Sequence, residues 1–301
     1  MDKEKSAREW FIEGCRCEDD PIQIERAVAA FRECIRLAPS HGFAHANLGF
    51  LYLRMKSYDE ALTCFQRSAD LDPGSAAPYN NLAHVYEKME RYGSARQMYE
   101  RALAVQPTNV DAAMNLARMY ELEGDYHRAV GQYIRAIEMT PDDVAPHFSL
   151  AVLYDRHDMF DEAMGEYQAV LALDPYHVKA LLRVGNLHLQ EGRYKDAIVC
   201  YKRALVIEAE ISEAWNNLGS AYEEMGDYIR AESAYWRALS IDPCSEDINF
   251  NLAKMQVLQG VDRLSDAEKK GVICRLNFVL SVNPDNRNAE RLLEQLEKRD
   301  G

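Results

Sequence analysis

The sequence has no apolar stretch approaching the roughly 18 consecutive residues that a membrane-crossing helix needs, so membrane insertion is not expected. Its opening residues, Met1 to Lys5, are charged and lead to Trp10-Phe11-Ile12 and then Glu13, with no apolar core of signal-peptide length. Basic charge is also short: 35 Lys and Arg stand against 49 Asp and Glu, a formal net charge of -14. Such a balance repels phosphate backbones and argues against nucleic acid or an anionic membrane as partner. The 15 glycines never gather into a phosphate-cradling loop, and neither a His-Glu-x-x-His pattern nor a Gly-x-Ser-x-Gly elbow occurs. Cys15 and Cys17 form a close pair, but no second pair at zinc-ligand spacing accompanies them. The seven cysteines are odd in number and mostly scattered, as expected of reduced thiols in a cytoplasmic protein. Neither an enzyme, nor a metal, nor any other cofactor is therefore expected.

What is present is periodicity. Ala27, Ala61, Ala95, Ala129, Ala163, Ala197 and Ala231 lie 34 residues apart, and Phe31, Phe65, Tyr99, Tyr133, Tyr167, Tyr201 and Tyr235 follow each by four. Pro39, Pro73, Pro107, Pro141, Pro175 and Pro243 make a third column, broken only by Ala209. Each unit also carries an earlier apolar series such as Trp215-x2-Leu218-Gly219-x2-Tyr222, whose spacing places one stripe on a first helix. A second helix runs from near the Ala column to just before the proline, which cannot continue it. Gly124, Gly192 and Gly226 fall where the first helix must stop and turn. The small residues Gly49, Ala83, Ala117, Ala151, Gly185, Gly219 and Ala253 let paired helices approach closely.

These columns resemble the tetratricopeptide repeat family over almost the whole chain. The resemblance implies an all-α, right-handed superhelical solenoid of about seven to eight helix-turn-helix hairpins. Counted from the proline column, a degenerate first unit or cap covers 1–41, and regular units cover 42–75, 76–109, 110–143, 144–177, 178–211 and 212–245. A divergent unit spans 246–284, where Pro284 arrives seven residues late, which places an insertion around Gly260 to Leu264. Ser265 and Glu268 then read as a capping box restarting the helix. Residues 285–301 read as a terminal capping helix, with Leu292, Leu293 and Leu296 on one face.

In this family first helices line a concave groove that binds extended peptides or partner helices. One column there holds Asn47, Asn81, Asn115, Asn217 and Asn251, with gaps at Ser149 and Arg183. An amide both donates and accepts, so such a series can hold the backbone of an extended chain, and it resembles the asparagine ladder in the repeat region of O-linked N-acetylglucosamine transferases. Only the ladder is shared, and no catalytic domain of that kind is expected in this sequence. Equally open is that the amides satisfy neighbouring helix groups or water. Lys179 and Arg183 lie one turn apart in a spacing similar to part of the carboxylate clamp of co-chaperones, although Met114, Arg118 and Ser149 depart from that clamp. With Arg118 they suggest an acidic peptide, against the alternative of solvated cations paired with nearby acids. Asn186 and His84 complete the candidate set. Phe43, Ala46 and Phe50 make the start of the groove apolar, and Glu213, Glu223 and Glu224 make a later part acidic.

The expected function is a non-enzymatic adaptor or scaffold whose groove binds a peptide or helix of a partner protein. The alternatives are a self-associating structural array and a recognition subunit for a separately encoded enzyme.

Overall fold

The structure, a computed structural model, describes residues 5–297, so the charged Met1 to Glu4 and the tail 298–301 of the expected capping helix lie outside the described residues. The described residues are helical with no strand among them. They divide into two compact units, Met1–Pro146 and His147–Gly301.

The first unit stacks four helical hairpins: α1 (Ala7–Cys17) with α2 (Ile24–Leu37), α3 (Gly42–Arg54) with α4 (Tyr58–Leu71), α5 (Ala77–Lys88) with α6 (Tyr92–Val105), and α7 (Val110–Leu122) with α8 (Tyr126–Met139). The second begins within α9 (Val144–Arg156), which pairs with α10 (Phe160–Leu173). It continues through α11 (Val178–Gln190) with α12 (Tyr194–Ile207), α13 (Ser212–Glu224) with α14 (Tyr228–Ile241), and α15 (Glu246–Leu258) with α16 (Asp266–Val282), and ends on α17 (Arg287–Glu297).

The alanine column sits at the helix crossings, where every member is fully buried, and the aromatic column beside it is the bulk of the core. A Cβ added to Gly49, Gly185 or Gly219 would lie 2.8, 2.6 and 2.6 Å from the ring of Phe65, Tyr201 and Tyr235. Glycine at these crossings therefore sets how closely the two helices of a hairpin approach. The first hairpin obeys the same rule in a shifted register. A Cβ on Gly14 would lie 2.6 Å from Phe31, seventeen residues on rather than sixteen, and the 3-10 turn at Pro21–Gln23 takes up the extra residue. Column counting from the prolines passes over Gly14 because it holds the helix separation constant in sequence.

Gly124, Gly192 and Gly226 have the left-handed φ that the sequence suggests, at 75°, 73° and 74°. Lys56, Glu90 and Asp158 take the same conformation at the equivalent turns, with φ of 61°, 59° and 57°. In all six turns the next amide closes a bond to the carbonyl five residues back, as in Ser57 N to Tyr52 O at 2.9 Å and Asp227 N to Tyr222 O at 2.9 Å. The interhelix geometry thus imposes the turn whether or not glycine is there to ease it.

Each second helix ends two residues before the proline column, and α12 ends at Ile207 in the same way although Ala209 stands in that place. The carbonyls of this column are caught by the following hairpin. His45 Nε2 lies 3.0 Å from Pro39 O, Trp215 Nε1 donates to Ala209 O at 2.9 Å, and Asn249 Nδ2 donates to Pro243 O at 3.0 Å. Where that first-helix position is Ala113 or Leu181, Arg135 and Arg203 reach the same carbonyl from the second helix, at 2.7 Å to Pro107 O and 3.0 Å to Pro175 O. The histidine substituting for an aromatic at position 45 is thereby a structural donor.

At the C-terminal end Gly260 (φ 115°) and a 3-10 turn at Val261–Arg263 interrupt the hairpin, and Val261 is buried in the core. Ser265 and Glu268 form a capping box that starts α16. Ala289 and Leu296 of α17 close over Val272, Leu276 and Val279.

Candidate partner-binding site

Within each unit first helices of successive hairpins run beside one another, and acids near their C-terminal ends set much of the chemistry there. Glu87, Glu121, Asp155 and Glu223 each accept from the phenol twelve residues on: Tyr99, Tyr133 at 2.5 Å, Tyr167 at 3.4 Å and Tyr235 at 2.8 Å. Three of these acids also meet a cation of the next first helix. Arg118 pairs with Glu87, Arg183 lies 3.9 Å from Asp155, and Lys254 lies 2.5 Å from Glu223. Where the aromatic is Phe65, the acid's place is taken by Leu53. Where Leu189 holds that place, Tyr201 donates instead to Asn186 Oδ1 at 2.8 Å. The acid is present where a hydroxyl would otherwise be buried without an acceptor. This pairing at i, i+12 is visible in the columns and is the signal that sequence reading passed over.

The asparagine column behaves differently in the two units. In the second, Asn217 Nδ2 donates to Asn186 Oδ1 (3.0 Å), Asn216 Nδ2 to Asn217 Oδ1 (3.4 Å), and Asn251 Nδ2 to Asn216 Oδ1 (3.1 Å). These amides satisfy one another and tie three hairpins together. In the first unit Asn47 donates to Glu18 at 3.3 Å, with Cys15 Sγ at 3.7 Å. Asn81 and Asn115 are half-buried on α5 and α7 and make no hydrogen bond among the described residues, and His84 is exposed one turn beyond Asn81.

Between α3, α4 and α5 lies an open cavity of about 560 Å³, lined by Phe43, Ala46, Phe50, Leu71, Asn47 and Asn81 among others. Phe43 is 76% exposed and Phe50 44% exposed, the latter with its ring edge-on to Phe65 at 5.1 Å between centroids. Two large apolar side chains thus face an open hollow beside an unengaged amide.

The basic residues differ in what they meet. Arg118 belongs to the first unit and is paired with Glu87; Lys179 and Arg183 belong to the second. Lys179 is exposed and makes no ion pair among the described residues, while Arg183 has Asp155 as a distant partner. The buried thiols are not activated. Burial raises the pKa of Cys34 and Cys200 and pushes that of Cys64 up to about 11. No group of three or more metal-ligating side chains occurs among the described residues, and no helix there is long and apolar enough to cross a membrane.

Hairpins with small-residue crossings, Schellman turns and a stacked aromatic column define an all-α repeat solenoid. Residues 42–108 and 80–144 match tetratricopeptide-repeat models, and the chain belongs to the tetratricopeptide-repeat family. Residues 113–242 match the model of the cilia and flagella-associated protein 70 middle TPR-like domain. Among solved structures it is similar to the C-terminal part of a TPR repeat-containing protein from Cytophaga hutchinsonii, with a TM-score of 0.68 and 17% identity over 80% of this chain and 99% of that one. It is similar to the APC/C hetero-tetramer Cut9-Hcn1, with a TM-score of 0.56 and 17% identity over 91% of this chain. There it spans about half, 52%, of the matched chain. YrrB, described as a TPR protein with an unusual peptide-binding site, matches with a TM-score of 0.50 and 24% identity over 62% of this chain and 95% of that one. No curated protein matches.

Proposed function

We propose that this protein is a non-enzymatic scaffold that docks an extended peptide of a partner protein on the first-helix face of its first unit, from Phe43 to Asn115. The observation that carries this reading is the cavity beside α3, where Phe43 and Phe50 remain exposed next to the unengaged amide of Asn81. An apolar side chain of the peptide fills the hollow while Asn81 and Asn115 hold its main chain, which needs both a donor and an acceptor. The likeness to YrrB, whose description names a peptide-binding site, supports the reading at the level of fold. Lys179 and Arg183 offer a second, acid-seeking contact within the other unit.

The amides give the test its contrast. After the partner is recovered from native cells and identified, the triple variant Phe43→Ser, Asn81→Ala, Asn115→Ala is expected to weaken its binding by about tenfold or more with the melting temperature unchanged. Asn217→Ala should do the opposite, leaving binding intact and costing roughly 1 kcal/mol of stability, because it strips partners from Asn186 and Asn216. Undiminished binding by the triple variant would remove the groove from the account.

The similarity of residues 113–242 to a domain named for cilia and flagella favours a second, compatible reading, in which the scaffold serves a ciliary or flagellar assembly. A fluorescently tagged chain in ciliated cells is then expected along the organelle. A signal confined to the cell body contradicts it.

A further inference from the structure

We propose that the outer face of α12, in the second unit, is a separate docking surface for an amphipathic helix of a partner protein whose apolar stripe is flanked by carboxylates. The repeats themselves provide the reference. Where α12 has Val206, other second helices have residues such as Asp70 and Glu138; where it has Val199, Gln97 and Ser233; and where Tyr176 stands near the end of the preceding unit, other units have residues such as Gly74 and Asp142. At these three positions the other regular repeats carry only small or polar residues, and around α12 the three are branched aliphatic or aromatic together. None is packed away: Val206 is 86% exposed, Tyr176 73% and Val199 55%. Single exposed apolar residues are ordinary on a protein surface, but three bordering a common hollow form a patch.

The relief suits a helix. A hollow of about 530 Å³ lies on the Tyr176 side of α12, and one of about 430 Å³ lies between α12 and α14 over Trp215 and Tyr222. Lys202 and Val206 line both, so α12 stands as a ridge between two grooves. A partner helix laid along that ridge sets apolar residues three and four apart into the grooves.

Charge selects the partner. In a chain of net charge -14 no carboxylate lines either hollow, whereas Lys202, Arg203 and Arg230 do. Arg230 is neutralised by Asp227. Arg203 donates to the Pro175 carbonyl, and Lys202 lies 5.6 Å from the centroid of the Tyr222 ring; neither makes an ion pair among the described residues. Two uncompensated cations thus border an apolar ridge. Carboxylates on the partner's flanks satisfy them, and cationic flanks are repelled.

The test uses two synthetic amphipathic peptides about five turns long with identical leucine and phenylalanine faces, one flanked by Glu and one by Lys. Fluorescence anisotropy with the full chain is expected to show the Glu-flanked peptide binding about tenfold or more tighter. Val206→Asp and Lys202→Glu should each weaken it by about tenfold, with helical content unchanged, since both side chains lie on the surface. The groove variant Asn81→Ala, Asn115→Ala should leave this binding untouched, which separates the two surfaces. Equal affinity for the two peptides, or indifference to Val206→Asp, overturns the proposal. So does concentration-dependent dimerisation of the wild-type chain abolished by Val206→Asp, because the patch would then belong to a second copy.

Discussion

Gly219→Val is expected to cost about 3 kcal/mol or more of folding stability, read as a fall in the urea midpoint of the second unit. A Cβ at that position would lie 2.6 to 3.0 Å from three atoms of the Tyr235 ring. The ring has no room to retreat: it is fully buried, and its hydroxyl is held by Glu223 at 2.8 Å and lies 3.2 Å from Ser220. Gly219→Ala should be milder, at roughly 1 kcal/mol, because Ala83 and Ala117 stand at the equivalent crossings opposite Tyr99 and Tyr133. The same exchange at Gly131, inside α8, reverses sign. A Cβ there meets nothing within 4 Å, so Gly131→Ala removes backbone freedom from the unfolded chain and is expected to stabilise by about 0.5–1 kcal/mol. Equal effects at positions 131 and 219 would show that helix propensity, and not the crossing, governs both.

The second large effect is alkaline unfolding. Burial holds the phenols of Tyr99, Tyr167, Tyr201 and Tyr235 well above the ordinary tyrosine range, and the carboxylates of Glu87, Asp155 and Glu223 add to it for Tyr99, Tyr167 and Tyr235. In the unfolded chain these groups lose their protons near pH 10. Above that pH the unfolded state therefore binds fewer protons than the folded state, and stability falls as pH rises. Each tyrosine removes about 1.4 kcal/mol per pH unit, so at about pH 11 the three in the second unit together remove roughly 4 kcal/mol. Urea midpoints constant up to about pH 9.5 and then falling, with phenolate absorbance near 295 nm appearing together with loss of helix, are the expected result. Phenolate absorbance from all tyrosines while the helix content stays constant contradicts it. Tyr235→Phe should shallow the slope, although Glu223 then keeps only Lys254 as a partner.

The hairpins and their helix faces were legible because the interactions that define them are short in sequence. The glycine crossing at sixteen residues and the Schellman turn at five lie inside one repeat, so any repeat displays them whole. The turns at Lys56, Glu90 and Asp158 show the limit of that legibility, since no residue there announces a left-handed φ and only the packing of the two helices requires it. Gly14 shows another: its partner Phe31 is one residue out of register, and the 3-10 turn that permits this belongs to no column.

The candidate site was legible as a list and not as a set of states. Phe43, Ala46 and Phe50 could be read as an apolar start to the groove, and the structure places them around one hollow. The asparagines could be located but not sorted. Asn217 and Asn251 are engaged by residues 31 and 35 positions earlier, while Asn81 and Asn115 at the same column have no such neighbour. For Arg118 the sequence likewise leaves open a free or a paired cation, and Glu87, on the preceding first helix, is seen to meet it.

The sequence by itself determined the repeat, the two helices of each hairpin and which face of each is apolar, because hydrophobic periodicity and close crossings act within a few turns of one chain. Only the tertiary structure decided which polar groups on the first-helix face are engaged by the protein itself. An amide or a guanidinium is occupied or free according to the side chain that the next hairpin sets against it, and that pairing depends on packing across repeats and not on the residue alone.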